Sequence, residues 1–272
     1  MLQKISCRFN QINLNLILDI KLYLINISDR EGEVTLKLEI IHLFNIIPAP
    51  SEVYNDLNET PRWRMPLFFL LLLSPAIGLL NIPAAIEPLR KIYQENFDTQ
   101  TADIALQTST HYLTIIHLTF KPISSIFRWV VLSAVLLLIT TKFSTKKQIK
   151  FNRIFSCVSY TEIIFYLMEI ITILVIYIRG IDQIKNSSDM IVFKGINYFI
   201  DKNAIPDSIY TALNQINLFS LWYIATLARG IQIAGNIKYA KSIFLVSIAW
   251  CIWILLDLGK SFLIENILNL TF

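Results

Sequence analysis

The sequence predicts an all-α, polytopic membrane protein, a helical bundle that crosses the bilayer five times. Of the 272 residues, 54% are hydrophobic and only 16% are charged, whereas about a quarter of the residues in a soluble domain are charged. Five separate stretches are long and apolar enough to cross a bilayer as helices, which takes about 20 residues each. The connections between them differ strongly in their content of Lys and Arg, as a protein with a fixed orientation requires.

The five apolar stretches are the predicted spans. They cover about residues 65–86, 122–141, 154–178, 208–228 and 242–264. The alternative is a soluble protein with a buried helical core. Five such stretches within 200 residues leave too few polar helix faces to cover a soluble globule, so the membrane bundle is favoured.

The cationic connections predict the orientation of the bundle. Five cations lie in Lys142–Arg153 and three lie in Arg229–Lys241, and these two connections share one side of a five-span protein. The opposite connections, residues 87–121 and 179–207, are longer and poorer in cations for their length. We therefore expect a cytoplasmic N-terminus and a C-terminus on the far side of the membrane.

The first 40 residues differ from the membrane domain that we predict for residues 41–272. Apolar residues alternate with others at Ile12, Leu14, Leu16, Leu18, Ile20, Leu22 and Leu24, and again at Val34, Leu36, Leu38 and Ile40. Alternation with a period of two predicts two strands, which could pair as a hairpin. A lone hairpin is marginally stable in water. The segment therefore needs a partner, lies on the membrane, or is an extension from a misplaced start, and the sequence leaves these three open.

Polar side chains inside the predicted spans form the candidate site, because ionisable groups at such depth are costly and usually functional. They are Arg128, Glu162, Glu169, Asn214 and Asn217. At 1.5 Å per helical residue, Arg128, Glu169 and Asn214 lie about 21, 24 and 22 Å from the cytoplasmic edge. We predict an ion pair between Arg128 and Glu169 with Asn214 or Asn217 nearby, and we find no obvious partner for Glu162.

The two glutamates allow two interpretations. Ser159, Glu162, Tyr166 and Glu169 recur at helical spacing, so they share a face that should point into the bundle. Glu162 and Glu169 could form two steps of a proton or cation path, or they could tie the bundle together through hydrogen bonds. The second interpretation is favoured because transport paths usually come with helices broken by Gly or Pro. Only the first span is interrupted in this way.

No enzymatic constellation is found in the sequence. The motifs GxxxxGK[ST], GxGxxG, HExxH and GxSxG are absent. His111 and His117 lie six residues apart, a poor spacing for two metal ligands on one helix face. The basic connection Lys142–Arg153 suits an orientation signal touching anionic lipid better than a nucleic-acid site. We therefore predict no catalytic residue, cofactor, metal or nucleic-acid partner. The expected partners are the lipid bilayer, other membrane proteins and further copies of the chain.

Several short motifs together resemble one membrane-protein family. They are Phe44–Tyr54 with an apolar–Pro–x–x–aromatic pattern, Pro61–Pro66 with Pro-x-Trp-x-x-Pro, Phe151–Tyr160 at the start of the third span, Asn217–Trp222 with Phe-Ser-x-Trp, and Ala228–Gly230 before a short basic loop. In this order and spacing, over about 230 residues, the chain resembles the Yip domain family, the Ypt/Rab-interacting membrane proteins, and specifically its prokaryotic branch.

The resemblance implies five spans, a cytoplasmic N-terminus, a far-side C-terminus and a bacterial inner membrane. The Asp-Leu-Tyr-Gly-Pro motif and the long Pro/Gln-rich tail of eukaryotic members are absent, so binding of Rab or Ypt GTPases is not carried over. The expected role is non-enzymatic organisation of the membrane or interaction with proteins. The alternative is a small transporter or channel component that uses the intramembrane polar residues.

Overall fold

Ten α-helices make up most of the residues that the computed structural model describes, which are 30–144, 148–184, 187–201 and 204–271. They are α1 Arg30–Asn45, α2 Pro50–Glu59, α3 Arg64–Asn96, α4 Thr99–Ile115, α5 Lys121–Phe143, α6 Phe151–Thr161, α7 Ile163–Arg179, α8 Asp207–Asn214, α9 Leu218–Gly235 and α10 Tyr239–Thr271. A π-helical turn, Ile116–Phe120, joins α4 to α5. Three short 3-10 helices cover Ile181–Gln183, Ser187–Met190 and Ile196–Phe199. Those ranges contain no strand, so the all-α class is confirmed.

The N-terminal part of the chain corrects one expectation. The chain divides after His42 into two units, and the described residues of the first unit belong to α1. The second predicted strand, Val34–Ile40, is therefore wrong. A short run of alternating residues does not exclude a helix, and Glu33 and Lys37 stand at the four-residue spacing that stabilises one. The first predicted strand, residues 12–24, lies outside the described residues. The division near residue 40 stays a prediction.

Within the part of the chain that the structure describes, four helices are long and apolar enough to cross a membrane. They are Arg64–Asn96 with 33 residues, the continuous helix Thr99–Phe143 with 45, Phe151–Arg179 with 29, and Tyr239–Lys260 with 22. The predicted spans 65–86, 122–141 and 154–178 lie within the first three, and the fifth predicted span largely coincides with the last. A 45-residue helix extends about 67 Å, more than twice the hydrocarbon thickness, so only part of it crosses the membrane.

Large apolar side chains are exposed on the outside of these helices. Phe127, Leu138, Leu174, Phe244 and Leu255 are each more than half exposed. Monomeric soluble proteins rarely show apolar surface on this scale. The bilayer provides the environment that these side chains require, so the chain is a multi-pass membrane protein in contact with lipid.

The fourth predicted span, residues 208–228, is wrong as a single helix. It is divided into α8 and α9 by a break at residues 215–217. The reason is the capping chemistry of Asn217, whose side-chain oxygen accepts hydrogen bonds from the amides of Phe219 and Ser220. The Ser220 hydroxyl accepts a hydrogen bond from the Asn217 amide in return. This capping box starts a new helix.

The predicted outer connection, residues 87–121, is helical rather than a loop. Helix α3 continues to Asn96, and α4 begins after Asp98, whose carboxylate accepts hydrogen bonds from the amides of Gln100 and Thr101. The Thr101 hydroxyl and these amides hold the pKa of Asp98 below its usual value. An Asp two residues beyond the end of one helix is a start signal for the next. Helices α3 and α4 therefore form a hairpin, with the Tyr93 and Ser109 hydroxyls 3.1 Å apart.

Helix α2 closes the end of the bundle that carries the connections α5–α6 and α9–α10, which we call the basic end. Tyr54 of α2 is 1% exposed, and its hydroxyl lies 2.7 Å from that of Thr161. Burial raises the pKa of Tyr54 well above its ordinary value, so the phenol stays protonated. The helix docks closely because Gly230 of α9 faces it. A Cβ atom added at Gly230 would lie 3.0 Å from Tyr54 and from Cys157.

Substituting Gly230 by Val is expected to loosen this docking, because the added methyl groups would overlap Tyr54 and Cys157. Overpacking of this kind costs about 1 to 3 kcal/mol. Thermal unfolding in detergent micelles, followed by tryptophan fluorescence, measures the loss. The matched control is Gly259→Val, also within a helix, where an added Cβ meets nothing within 4 Å. Equal losses in the two variants would contradict the close approach at Gly230.

Candidate functional site

The centre of the candidate site is a buried carboxylate that three helices share. Glu162, between α6 and α7, is fully buried. One of its carboxylate oxygens accepts a hydrogen bond from the guanidinium of Arg128 on α5. The other accepts a hydrogen bond from the hydroxyl of Tyr223 on α9, at 3.1 Å. We call this contact between Arg128 and Glu162 the inner rung. It satisfies the charge of Glu162 inside the bundle.

Glu162 occupies a local break in the third long helix. Its amide still donates to the carbonyl of Val158 at 3.2 Å, while its own carbonyl accepts from the amides of both Phe165 and Tyr166. The helix therefore tightens at this point but continues in the same direction as α7.

Aromatic rings surround the inner rung. The Phe165 ring stacks on Trp250 with centroids 5.4 Å apart and lies 4.6 Å from the ring of Tyr223. The guanidinium carbon of Arg128 stands 5.3 Å from the centre of the Phe165 ring. A cation over an aromatic face is attracted by the ring quadrupole. The rings thus add to the stabilisation of Arg128.

A second ion pair lies two helical turns from the first. The ammonium of Lys121 is 2.9 Å from the carboxylate of Glu169, and we call this pair the outer rung. Lys121 precedes Arg128 by seven residues, and Glu169 follows Glu162 by seven. Seven residues are two turns, or about 10 Å along a helix. Helix α5 and helices α6–α7 run in opposite directions. A step of seven residues along each of them therefore leads from the inner rung to the outer rung.

The predicted pairing of Arg128 with Glu169 is wrong, and so is the expectation that Glu162 lacks a partner. The depth estimate assumed straight helices perpendicular to the membrane, and it treated Lys121 as part of a loop. Lys121 is the first residue of α5. With this second cation available, the observed register gives each carboxylate its own cation. Pairing Arg128 with Glu169 would leave Glu162 buried without one, at a large cost.

The two asparagines lie near the outer rung rather than the inner one. The side-chain oxygen of Asn214 accepts a hydrogen bond from the Gly195 amide at 3.0 Å. The side-chain nitrogen of Asn217 donates to the backbone carbonyl of Asn214 at 3.0 Å. Together with Lys121 and Glu169 they line one cavity. Of the five predicted site residues, the structure brings Glu169, Asn214 and Asn217 to this cavity and brings Arg128 and Glu162 together elsewhere.

Three cavities follow one another along the rungs. The first, about 240 Å³, is lined by both residues of the outer rung, Asn81, Asn214 and Asn217. The second, about 220 Å³, shares the outer rung with the first and is also lined by Arg128. The third, about 270 Å³, shares Arg128 with the second. The cavities therefore adjoin both rungs, through Lys121 and Glu169 at the outer rung and through Arg128 at the inner rung.

Sequence reasoning missed three polar residues of the site. Tyr223 and Lys121 complete the rungs, and Gln215 donates a hydrogen bond at 2.8 Å to Asp257 on the wall of the third cavity. Lys121 could have been found from its seven-residue spacing to Arg128. The shared face of the third long helix is confirmed in part. Ser159, Glu162 and Tyr166 are buried, whereas Glu169 is partly exposed.

The described residues show no group of three or more His, Cys, Asp or Glu side chains that could hold a metal ion. The arrangement can bind charged or polar groups through the outer rung and can hold helices together through the inner rung. A nucleophile paired with a general base is not among the contacts described above.

Comparison with known protein families gives a match. A protein-family model described as the Yip1 domain matches residues 44–259, which is well over half of the chain and includes both rungs and α2. The resemblance found from the sequence motifs is thereby confirmed at the level of the family. No curated protein and no solved structure matches the chain.

A double-mutant cycle tests the register of the rungs. We expect Glu162→Gln to destabilise the bundle by about 3 to 5 kcal/mol, because it leaves the partly buried Arg128 guanidinium without a counter-charge. Adding Arg128→Met to it should restore much of that stability. Unfolding in mixed micelles with increasing SDS gives the free energies. The control cycle combines Arg128→Met with Glu169→Gln, whose effects should add. Coupling of Arg128 to Glu169 but not to Glu162 would contradict the observed register.

Proposed function

Because the chain belongs to the Yip1 domain family, we propose that it works without catalysis, as a membrane protein that organises the membrane or holds partner proteins. The proposed location is the bacterial inner membrane, which follows from the resemblance to the prokaryotic branch. The proposed partners are the bilayer, other membrane proteins and further copies of the chain.

The closed inner rung is the observation that carries this proposal. Both carboxylate oxygens of Glu162 are engaged, by Arg128 and by Tyr223. The neighbouring residue Thr161 is hydrogen-bonded to Tyr54 of α2. An ion or proton that crossed the bundle would have to break this buried pair and then displace α2. Such an arrangement supports a permanent contact between helices, which suits a scaffold better than a transport path.

We further propose that α9 supplies the crossing that the four long helices lack. Its 18 residues extend about 27 Å, close to the hydrocarbon thickness of about 30 Å. It packs between the other helices, with Tyr223, Leu227 and Ile231 fully buried. A helix shielded in this way can carry Arg229 and Gln232 near its end. Five crossings and the cationic connections would place the N-terminus in the cytoplasm and the C-terminus on the far side.

Reporter fusions test the number of crossings. A fluorescent protein that folds only in the cytoplasm should be bright when it is fused to the N-terminus and dark when it is fused to the C-terminus. A phosphatase that is active only outside should show the reverse. If α9 did not cross, the remaining four crossings would return the C-terminus to the cytoplasm. Two bright fluorescent fusions would therefore contradict the five-span proposal.

The second candidate function is a small transporter or channel component. It is favoured by the three adjoining cavities and by the partly exposed outer rung, which offers a cation and a carboxylate to a passing polar group. The side chains of Lys121 and Glu169 are 27% and 34% exposed, so this pair can exchange partners more easily than the inner rung. In this case Glu169 would be a step of the path.

One variant, Glu169→Gln, distinguishes the two functions. If the protein is a scaffold, proteoliposomes should show no proton or cation flux above empty vesicles, and cross-linking in native membranes should capture the same partner with wild type and variant. The control Glu95→Gln changes an exposed carboxylate on α3 outside the cavities. Flux in wild type that disappears in Glu169→Gln and persists in Glu95→Gln would overturn the scaffold proposal.

A further inference from the structure

The outer rung leaves polar groups available beside its two cavities. Asn81 lines the first cavity, and its buried side-chain oxygen has no hydrogen-bond partner among the described residues. Arg128 lines the second cavity, and its buried Nε atom likewise has no partner in the described part of the chain. Buried polar atoms are nearly always hydrogen-bonded, so such atoms beside a cavity indicate that something else binds there.

The two cavities share a charged wall and differ in what each adds to it. Both are lined by Lys121 and Glu169, so each offers an ammonium and a carboxylate. The first adds the oxygen of Asn81, an acceptor, and the second adds the Nε of Arg128, a donor. A ligand that fits both must carry a positive group with hydrogen-bond donors at one end and an anion at the other. Each cavity is smaller than the roughly 300 Å³ of a typical drug pocket, so the ligand group is small.

The depth of the outer rung in the membrane indicates that this ligand group belongs to a lipid. Lys121 is 22 residues from the basic end of α5 at Phe143, which is about 33 Å. Glu169 is 18 residues from Phe151, which is about 27 Å. With a hydrocarbon core of about 30 Å, the outer rung lies where the headgroups of the opposite leaflet begin. Phe120 and Ile123, beside Lys121 in the chain, are 64% and 63% exposed, as is expected of side chains that touch acyl chains.

We infer that the two cavities at the outer rung bind a zwitterionic lipid headgroup with a primary ammonium, of the phosphoethanolamine class. The phosphate occupies the second cavity, where Lys121 and Arg128 donate to it. The ammonium occupies the first cavity, where it donates to Glu169 and Asn81. A choline headgroup has no N–H to donate, and a purely anionic headgroup places no cation at Glu169. This inference goes beyond the proposed function and holds for a scaffold or a transporter alike.

Native mass spectrometry of the full-length protein tests the inference. The protein is exchanged into micelles that contain equal amounts of phosphatidylethanolamine, phosphatidylcholine and phosphatidylglycerol, and the retained lipid is identified. We expect phosphatidylethanolamine to be retained about tenfold over the other two, as one charge-assisted hydrogen bond would provide. Equal retention of the three lipids, or a preference for phosphatidylglycerol, would overturn the inference.

Two variants locate the site. Glu169→Gln should abolish the preference, whereas the control Glu95→Gln should keep it. Asn81→Ala should lower the preference about threefold to tenfold. Because the Asn81 oxygen has no hydrogen bond to the described protein, this variant should unfold at an unchanged temperature in lipid-free micelles. A preference for phosphatidylethanolamine that survives both Glu169→Gln and Asn81→Ala would show that the lipid binds elsewhere and would contradict the proposal.

A further measurement distinguishes binding of the whole lipid from binding of its headgroup alone. Soluble glycerophosphoethanolamine, added at millimolar concentration, carries the same phosphodiester and ammonium groups but no acyl chains. If the acyl chains contribute as the exposed Phe120 and Ile123 indicate, it should leave the retained phosphatidylethanolamine in place. Displacement of the lipid at that concentration would overturn the assignment to a lipid headgroup.

Discussion

A charge that is removed from both water and lipid must be balanced by the protein itself, and in this chain that charge is Glu162. An unpaired carboxylate inside a bundle costs several kcal/mol, so its partner is not optional. Arg128 and Tyr223 bring α5 and α9 to the third long helix at this point. The contact also fixes the register of α5. With Arg128 opposite Glu162, a step of two turns along each helix places Lys121 opposite Glu169, and the outer rung follows from the inner one.

The same register separates the bundle into two unlike halves. Toward the basic end, aromatic rings and α2 pack around Glu162, and the hydrogen bond between Tyr54 and Thr161 closes the interior. Away from that end, cavities lie along the rungs. Among the described residues, the inner rung therefore marks a boundary between the contacts that hold α2 and α9 in place and the cavities that polar groups can enter.

The sequence predicted the features that depend on long apolar stretches. It missed the features that depend on which residues of neighbouring helices face each other. Long, mostly apolar runs predicted three spans that lie within long helices, because crossing the hydrocarbon core requires about 20 mostly apolar residues. The break at Asn217 was missed although Asn217 and Ser220 form a recognisable capping box. The pairing of Arg128 was missed because depth counted in residues ignores tilt and local breaks, each of which shifts a side chain by several ångströms. The seven-residue spacing of Lys121 was the available signal, and it becomes informative only when Lys121 is recognised as helical.

The two rungs differ in the free energy that is needed to break them, and this difference decides which functions the site can support. Breaking a buried pair such as Arg128 and Glu162 costs about 3 to 5 kcal/mol, whereas a partly exposed pair such as Lys121 and Glu169 contributes about 1 kcal/mol or less. A ligand can open a contact only by binding the open state more tightly than the closed one by at least that amount. A headgroup that offers Lys121 an anion and Glu169 a cation replaces the outer pair without loss of charge balance. It offers the same exchange to Glu162 only by entering a space that aromatic rings already fill. Binding at the outer rung can therefore proceed while the inner rung keeps the helices in place.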